Sequence, residues 1–259
     1  MVAIADRFPQ PAGRDDGFFL GGALAMTAVT IAGFSLQLGM GRSSFGAPPL
    51  VHAHAVVFMG WVAIYLLQTT LAATGRIDLH RKLGWLAAAW IVPMIVLGVA
   101  ITVMSVRVGR APFFFRPAQF LIFNPLSLFT FAGLTAAAIV MRRRTDWHRR
   151  LHFSGMALLL GPGFGRLLPM PLLIPWAWEA TAAVCLLFPI AGMAADLRRT
   201  GRVHPAWTVG VGVTLALIAA IEALTFSPLG PALYQAVTRD TPGAAIAPLA
   251  FAHPPGPPP

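Results

Sequence analysis

The sequence predicts an all-α membrane protein with seven transmembrane helices, and three observations carry that prediction. Hydrophobic residues make up 57% of the 259 positions and charged residues only 11%, whereas soluble domains carry about 25% charged residues. The apolar residues fall in runs of about 20, the length that crosses roughly 30 Å of hydrocarbon. Lys and Arg collect in alternate loops between the runs, as they do in the cytoplasmic loops of membrane proteins.

In chain order the expected spans are 17–39, 50–74, 83–106, 118–141, 151–173, 177–196 and 205–227. Residues 1–16 are polar and form a short N-terminal segment. The first apolar run is too long for a signal-peptide core, so it reads as a retained helix. The second opens after Pro48 and Pro49 and carries His52 and His54. The third and fifth each follow a basic phrase. The fourth contains Asn124, and the fifth is interrupted by "GPGFGR" at 161–166. The sixth opens with Glu179 and holds the single cysteine, Cys185, which excludes a disulfide framework. The seventh carries Glu222 near its outer end. Residues 228–259 form an extracytoplasmic tail, and its last 20 residues, "DTPGAAIAPLAFAHPPGPPP", are Pro-rich and expected to be disordered.

The net charge of +10 could suggest nucleic acid. In a chain this apolar it reads as topology, and no nucleic-acid partner is expected. Of the 19 Lys and Arg, 13 lie in the N-terminal segment and the loops after spans 2, 4 and 6, and 5 lie on the other side. Arg166 sits within a span. The expected placement is the bacterial inner membrane, N-terminus cytoplasmic and C-terminus outside.

One phrase is written twice. "RIDLHRKL" (76–83) and "RTDWHRRL" (144–151) share Arg, Asp, His, Arg and Leu at an offset of 68. A fainter echo pairs "TGRIDLHRKLGW" (74–85) with "TGRVHPAW" (200–207). The chain thus reads as one leading helix and three hairpins with a weak internal repeat. Each hairpin places a histidine, His80, His148 or His204, where its second helix starts. In a structural reading, Asp78 and Asp146 cap helices and the arginines fix topology. Yet Arg81, Lys82, Arg149 and Arg150 fall in first helical turns, where the macrodipole disfavours cations. Anionic lipid headgroups or haem propionates would offset that. His148 and His152 share a helix face. Gly84 and Gly155 leave room for a flat ring beside a histidine. The cofactor expectation is therefore haem b, or a metal, on His80, His148 and His152, with Arg81 and Arg149 beside it.

A second polar set lies toward the other face: His52, His54, Asn124, Arg166, Glu179 and Glu222. Ionisable residues in hydrocarbon normally face the bundle interior and are partnered. Arg166 and Glu222 have matching depths and are the expected pair. His52 and His54, two residues apart, cannot both face one site. The interrupted fifth span could line a binding site or be a plain kink.

Other chemistries find no support. There is no Walker A loop, no GxGxxG and no CxxC. The one lysine, Lys82, lies at a helix end, which argues against a retinal Schiff base. A single HxxxH is too few for a membrane di-iron hydroxylase.

At "LHRKLGW" and "DWHRRLHFSGMALLLGPGFGRLL" the chain resembles a bacterial family of predicted multi-pass membrane proteins of unknown function, with an HRxLG box and an HRRWM-like box. The matching positions are His52 or His54, then His80, Arg81 and Gly84, then His148, Arg149 and Arg150, then Arg166, over roughly residues 50–170. Leu151 and His152 stand where that pattern usually has Trp and Met. A looser likeness to cytochrome b561-type haem proteins rests on paired helix histidines. Three functions are thus open: a haem- or metal-binding electron-transfer protein; a transporter or lipid- or small-molecule-binding protein using Arg166 and Glu222; and a structural or assembly subunit of a membrane complex.

Overall fold

The computed structural model describes residues 14–43 and 45–251, with the side chains of Arg14 and Asp15 excluded. Nine α-helices and no strands are found among them. They are α1 (Arg14–Gly39), α2 (Pro49–Ala73), α3 (Ile77–Arg107), α4 (Pro117–Val140), α5 (Thr145–Leu158), α6 (Gly161–Leu167), α7 (Ala177–Thr200), α8 (Pro205–Phe226) and α9 (Leu229–Thr238). Helices α1, α2, α3, α4, α7 and α8 are long and apolar enough to cross a membrane. Large apolar side chains such as Val56, Val92, Val96, Phe129, Leu187 and Leu215 are more than half exposed. A surface of that kind is stable against hydrocarbon rather than water. The chain is a multi-pass integral membrane protein.

Local chemistry sets the helix ends. Pro49, Pro117 and Pro205 occupy first turns, where the missing N–H has no intrahelical partner to lose. The repeated "TGR" closes α2 and α7. Gly75 and Gly201 there adopt φ of 73° and 70°, a left-handed conformation that glycine reaches without a Cβ clash.

The fifth apolar run departs from expectation. It is not one long helix but α5 and α6, separated at Leu159–Leu160 and followed by a 3₁₀ turn at Met170–Leu173. Pro162 has no N–H to give to Leu158, so the hydrogen-bond ladder is interrupted there. The glycines of "GPGFGR" serve packing. A Cβ on Gly163 would press on Val29 and Thr30 of α1, and one on Gly33 would meet the Gly163 carbonyl. The break therefore seats α6 on α1 and is not a lining of the cavity described below.

Two apolar cores stack along the bundle. One gathers Phe19, Met26, Trp61, Tyr65, Phe131, Phe153, Met156 and Trp207. The other, at the opposite end, gathers Phe115, Phe123, Trp178, Leu217 and Ile221. Gly192 lets α8 close on α7, because a Cβ there would run into the Trp207 indole.

The tail also departs from expectation. Residues 229–251 fold back as α9 and a 3₁₀ turn at Pro242–Ala245. Tyr234 is 1% exposed and its hydroxyl donates to the Gly243 carbonyl at 2.9 Å. Arg107 Nη1 donates to the Val237 carbonyl at 2.9 Å, and Arg116 lies over Phe226 and Phe251. Proline-rich composition suggested disorder, but Tyr234, Val237 and Leu249 bury apolar area against α3 and α4. Residues 252–259, which hold most of the terminal prolines, and residues 1–13 lie outside the described residues.

At the other end, a buried ion network ties four helices. Arg150 has no exposed surface, and its Nε and Nη2 donate to the two carboxylate oxygens of Asp196 on α7 at 3.0 and 2.9 Å. Asp196 also accepts from the His204 backbone N–H at the start of α8. Asp146 pairs with Arg149 and Arg150, and Arg149 reaches Asp16 of α1. Phe19 and Trp207 cover the guanidinium of Arg150. This corrects the expected capping role of Asp78 and Asp146. The caps are Arg76 and Arg144, which make no side-chain capping bond, and both aspartates lie one residue inside their helices. There they still favour the macrodipole, and Asp146 spends its oxygens on arginines.

Removing one partner of a buried pair costs about 3–5 kcal/mol when the other charge is left uncompensated. Arg150 keeps its longer pair with Asp146, so Asp196→Ala should lower stability by about 3 kcal/mol, the low end of that range, in detergent thermal unfolding, while Asp78→Ala, on an exposed residue, should change it by less than about 0.5 kcal/mol.

Candidate functional site

Helices α1 to α5 surround a cavity of about 910 Å³ at the end that carries the ion network. Asp16 and Phe19 of α1, Trp61, Tyr65 and Gln68 of α2, His80, Arg81 and Gly84 of α3, Thr135 of α4, and His148, Arg149 and His152 of α5 all line it. The three histidines singled out from the sequence thus share one space with Arg81 and Arg149. The His80 and His148 ring centres are 6.1 Å apart, and those of His148 and His152 are 4.8 Å apart.

The two repeat histidines are held in the same way. His80 Nδ1 lies 3.2 Å from the Gln68 carbonyl oxygen of α2, and His148 Nδ1 lies 2.8 Å from the Ala138 carbonyl oxygen of α4. A carbonyl only accepts, so each Nδ1 carries the proton and each Nε2 is left as the second ring nitrogen. This is the arrangement by which a neighbouring carbonyl fixes tautomer and ring orientation in ligating histidines. Gly84 has nothing within 4 Å of a notional Cβ, so it widens the cavity. Gly155 instead packs against Phe131, Leu134 and Thr135 of α4. His204, the third repeat histidine, does not line the cavity. It caps α8, its Nδ1 accepting from the Ala206 N–H at 3.1 Å.

The donor set bears on what the cavity can hold. Among the described residues, no group of three or more His, Cys, Asp or Glu is arranged to hold a metal ion.

The second polar set is split by the structure. The expected pairing of Arg166 with Glu222 is corrected. Arg166 stacks over Phe34 of α1 at 4.0 Å and its Nη1 donates to the Pro162 carbonyl at 2.8 Å. Glu222 accepts from Gln119 Nε2 of α4 at 2.9 Å. Counting along the spans gives them matching depths, but they pack on different helices, α1 and α4. Glu179 stands on α7 beside Trp178, which stacks on Phe123. Asn124 bonds to the Phe120 carbonyl of its own helix. His52 is exposed and bonds to the Phe45 carbonyl, whereas His54 is half-buried and stacks on Phe58.

Sequence reasoning missed Trp61, Gln68 and Thr135 in the cavity, Gln119 beside Glu222, and Asp196 under Arg150. Gln68 and Gln119 carried a usable signal, an amide inside an apolar run. Asp196 did not, because it sits where a span reads as ending in a loop.

Comparison with known protein families, with curated proteins and with solved structures finds no match to this chain.

Gln119 is 1% exposed, and its bond to a carboxylate crosses between helices. Gln119→Leu should cost about 1 kcal/mol in thermal unfolding, the worth of one interhelical hydrogen bond to the half-buried Glu222 carboxylate. Asn124→Leu, which breaks only a bond within one helix, should cost less.

Proposed function

We propose that this chain is a haem b-binding electron-transfer protein of the bacterial inner membrane. One observation carries the reading: two histidines on different helices, each fixed by a backbone carbonyl, border one cavity with arginines at its rim. His80 and His148, on different helices with ring centres 6.1 Å apart, would hold the group. His152 is the alternative partner to His80. Phe19, Trp61, Tyr65 and Trp85 supply flat apolar wall, and Arg81, Arg142, Arg143 and Arg149 supply cations for propionates. Haem, when bound, supplies one-electron exchange. The protein's part is to hold the two imidazoles in place and to keep the ring partly out of water.

The same reading proposes seven crossings, with α5 and α6 together serving as the fifth. They run over residues 145–167, about 35 Å at 1.5 Å per residue, enough for roughly 30 Å of hydrocarbon. The excess of Lys and Arg at the cavity end supports placing that end in the cytoplasm and fits contact with anionic headgroups there.

The test is an absorption spectrum of the full chain purified in mild detergent, oxidised and then dithionite-reduced. A Soret band with reduced α and β bands is expected. His80→Ala and His148→Ala should each abolish or shift it, and His152→Ala should leave it if His148 is the ligand. A protein that stays colourless after haem is added, or a spectrum indifferent to His80, would overturn the proposal.

A further inference from the structure

The end of the bundle opposite the cavity holds a cation that no described residue neutralises. Arg166 stands in the last turn of α6 and is half-buried. Phe34 of α1 covers its guanidinium at 4.0 Å, and the Pro162 carbonyl accepts from Nη1 at 2.8 Å. The described ion pairs all belong to the network at the cavity end. The two glutamates of the far end are placed elsewhere, Glu222 on Gln119 and Glu179 beside Trp178. His54 of α2 lies within electrostatic reach of Arg166, and adds a second side chain that can donate to an anion. An ionisable side chain within a membrane bundle is normally partnered. Here the aromatic face and one carbonyl orient the guanidinium and leave its charge unmatched.

We infer that Arg166 anchors a binding site for an oxyanion of the phosphate class. Its Nε–Nη2 edge makes no hydrogen bond within the protein and is not among the enclosed atoms. That edge is the fork that meets two phosphate oxygens at once. A snorkelling arginine is free to carry its head into water, whereas Phe34 and Pro162 hold this one in place. Little side-chain freedom is then left to lose on binding. Depth favours a lipid as the source. Phe34 lies five residues before the end of α1, and His54 five after the start of α2. At 1.5 Å per residue both are about 8 Å inside their helix ends, near the boundary between hydrocarbon and headgroups. A phospholipid with a net negative charge would set its phosphate there, and Leu167, beside Arg166 and 38% exposed, offers apolar surface to an acyl chain. Free phosphate presents the same oxygens. The site uses none of the residues assigned to haem and does not depend on that reading.

The experiment is calorimetric titration of the full chain in non-ionic detergent with two probes, a short-chain phosphatidylglycerol below its micellar concentration and inorganic phosphate. Saturable binding of phosphatidylglycerol is expected, weakened about tenfold or more in Arg166→Gln. Arg166→Lys keeps the charge but not the two-nitrogen edge, and should weaken binding about threefold or more. It decides the matter if Arg166→Gln does not fold. Lys82→Gln, which removes an exposed cation at the other end, should bind as the wild type does. Saturation by inorganic phosphate alone, with the same dependence on Arg166, would support the site and identify a free anion as its source. Saturation by neither probe would overturn the inference. So would wild-type binding in the Arg166 variants, or an equal loss in Lys82→Gln, which would show general attraction to a basic protein. A colourless protein that binds phosphatidylglycerol through Arg166 would refute the haem reading alone.

Discussion

Arg150 is fully enclosed, and Asp196 on another helix meets the Nε–Nη2 edge of its guanidinium with both carboxylate oxygens. Its charge has no route to water, so moving α5 from α7 would break the closest ion pair of a low-dielectric interior. Asp196 also accepts from the backbone N–H of His204, the last residue of the α7–α8 connection. Asp146 and Arg149 extend the network to α1 through Asp16. Phe18, Phe19, Phe153 and Trp207 stack edge and face around these charges. The network fixes where α5 starts, and therefore where His148, Arg149 and His152 stand. The cavity depends on an ion pair that does not itself line it.

The duplicated phrase shows one string used twice for different ends. Arg150 and Leu151 of the second copy are buried. Their counterparts in the first copy, Lys82 and Leu83, are exposed and half-buried. α5 is enclosed by α4, α7 and α8, so its basic residue had to acquire a carboxylate, and Asp196 is that carboxylate. The first copy begins a helix at the edge of the bundle, where a lysine can stay in water or among headgroups. What the copies retain in common is the histidine and its carbonyl partner. That retained pair, and not the basic residues, is what the repeat contributes to the site.

Much of this was legible from residue order alone. Seven spans were expected, and six of them are helices long and apolar enough to cross a membrane; these, and the placing of His80, His148, Arg81 and Arg149 at one end, follow from apolar run length and hairpin connectivity. Depth along a helix is a one-dimensional quantity that counting residues recovers. Azimuth around the bundle is not. Arg166 and Glu222 have matching depths, yet one stacks on Phe34 of α1 and the other bonds to Gln119 of α4. Asp196 was hidden for the same reason, since a carboxylate at a helix end reads as solvated until a facing arginine is placed. The tail was misread because proline content was weighed without the apolar area of Tyr234, Val237 and Leu249. Those side chains have an apolar wall to meet only once α3 and α4 are side by side.

The histidines themselves show how small an offset decides a role. His80 and His148 are each the fourth residue of their helices, and His204 lies immediately before its own. At the fourth position the ring reaches back toward the closing turns of the preceding helix. Ala138 lies in the last turn of α4, where carbonyls have no intrahelical donor, and His148 fills that vacancy. Its Nδ1 is thereby occupied and its Nε2 turned to other use. Before the first turn, the ring can instead accept from the helix's own free N–H groups, as His204 does from Ala206. Pro205 sets that start, since a proline is tolerated in a first turn but not further in. A four-residue displacement of one histidine against its helix therefore converts a prospective ligand into a cap, which is why two members of a threefold pattern face the cavity and the third does not.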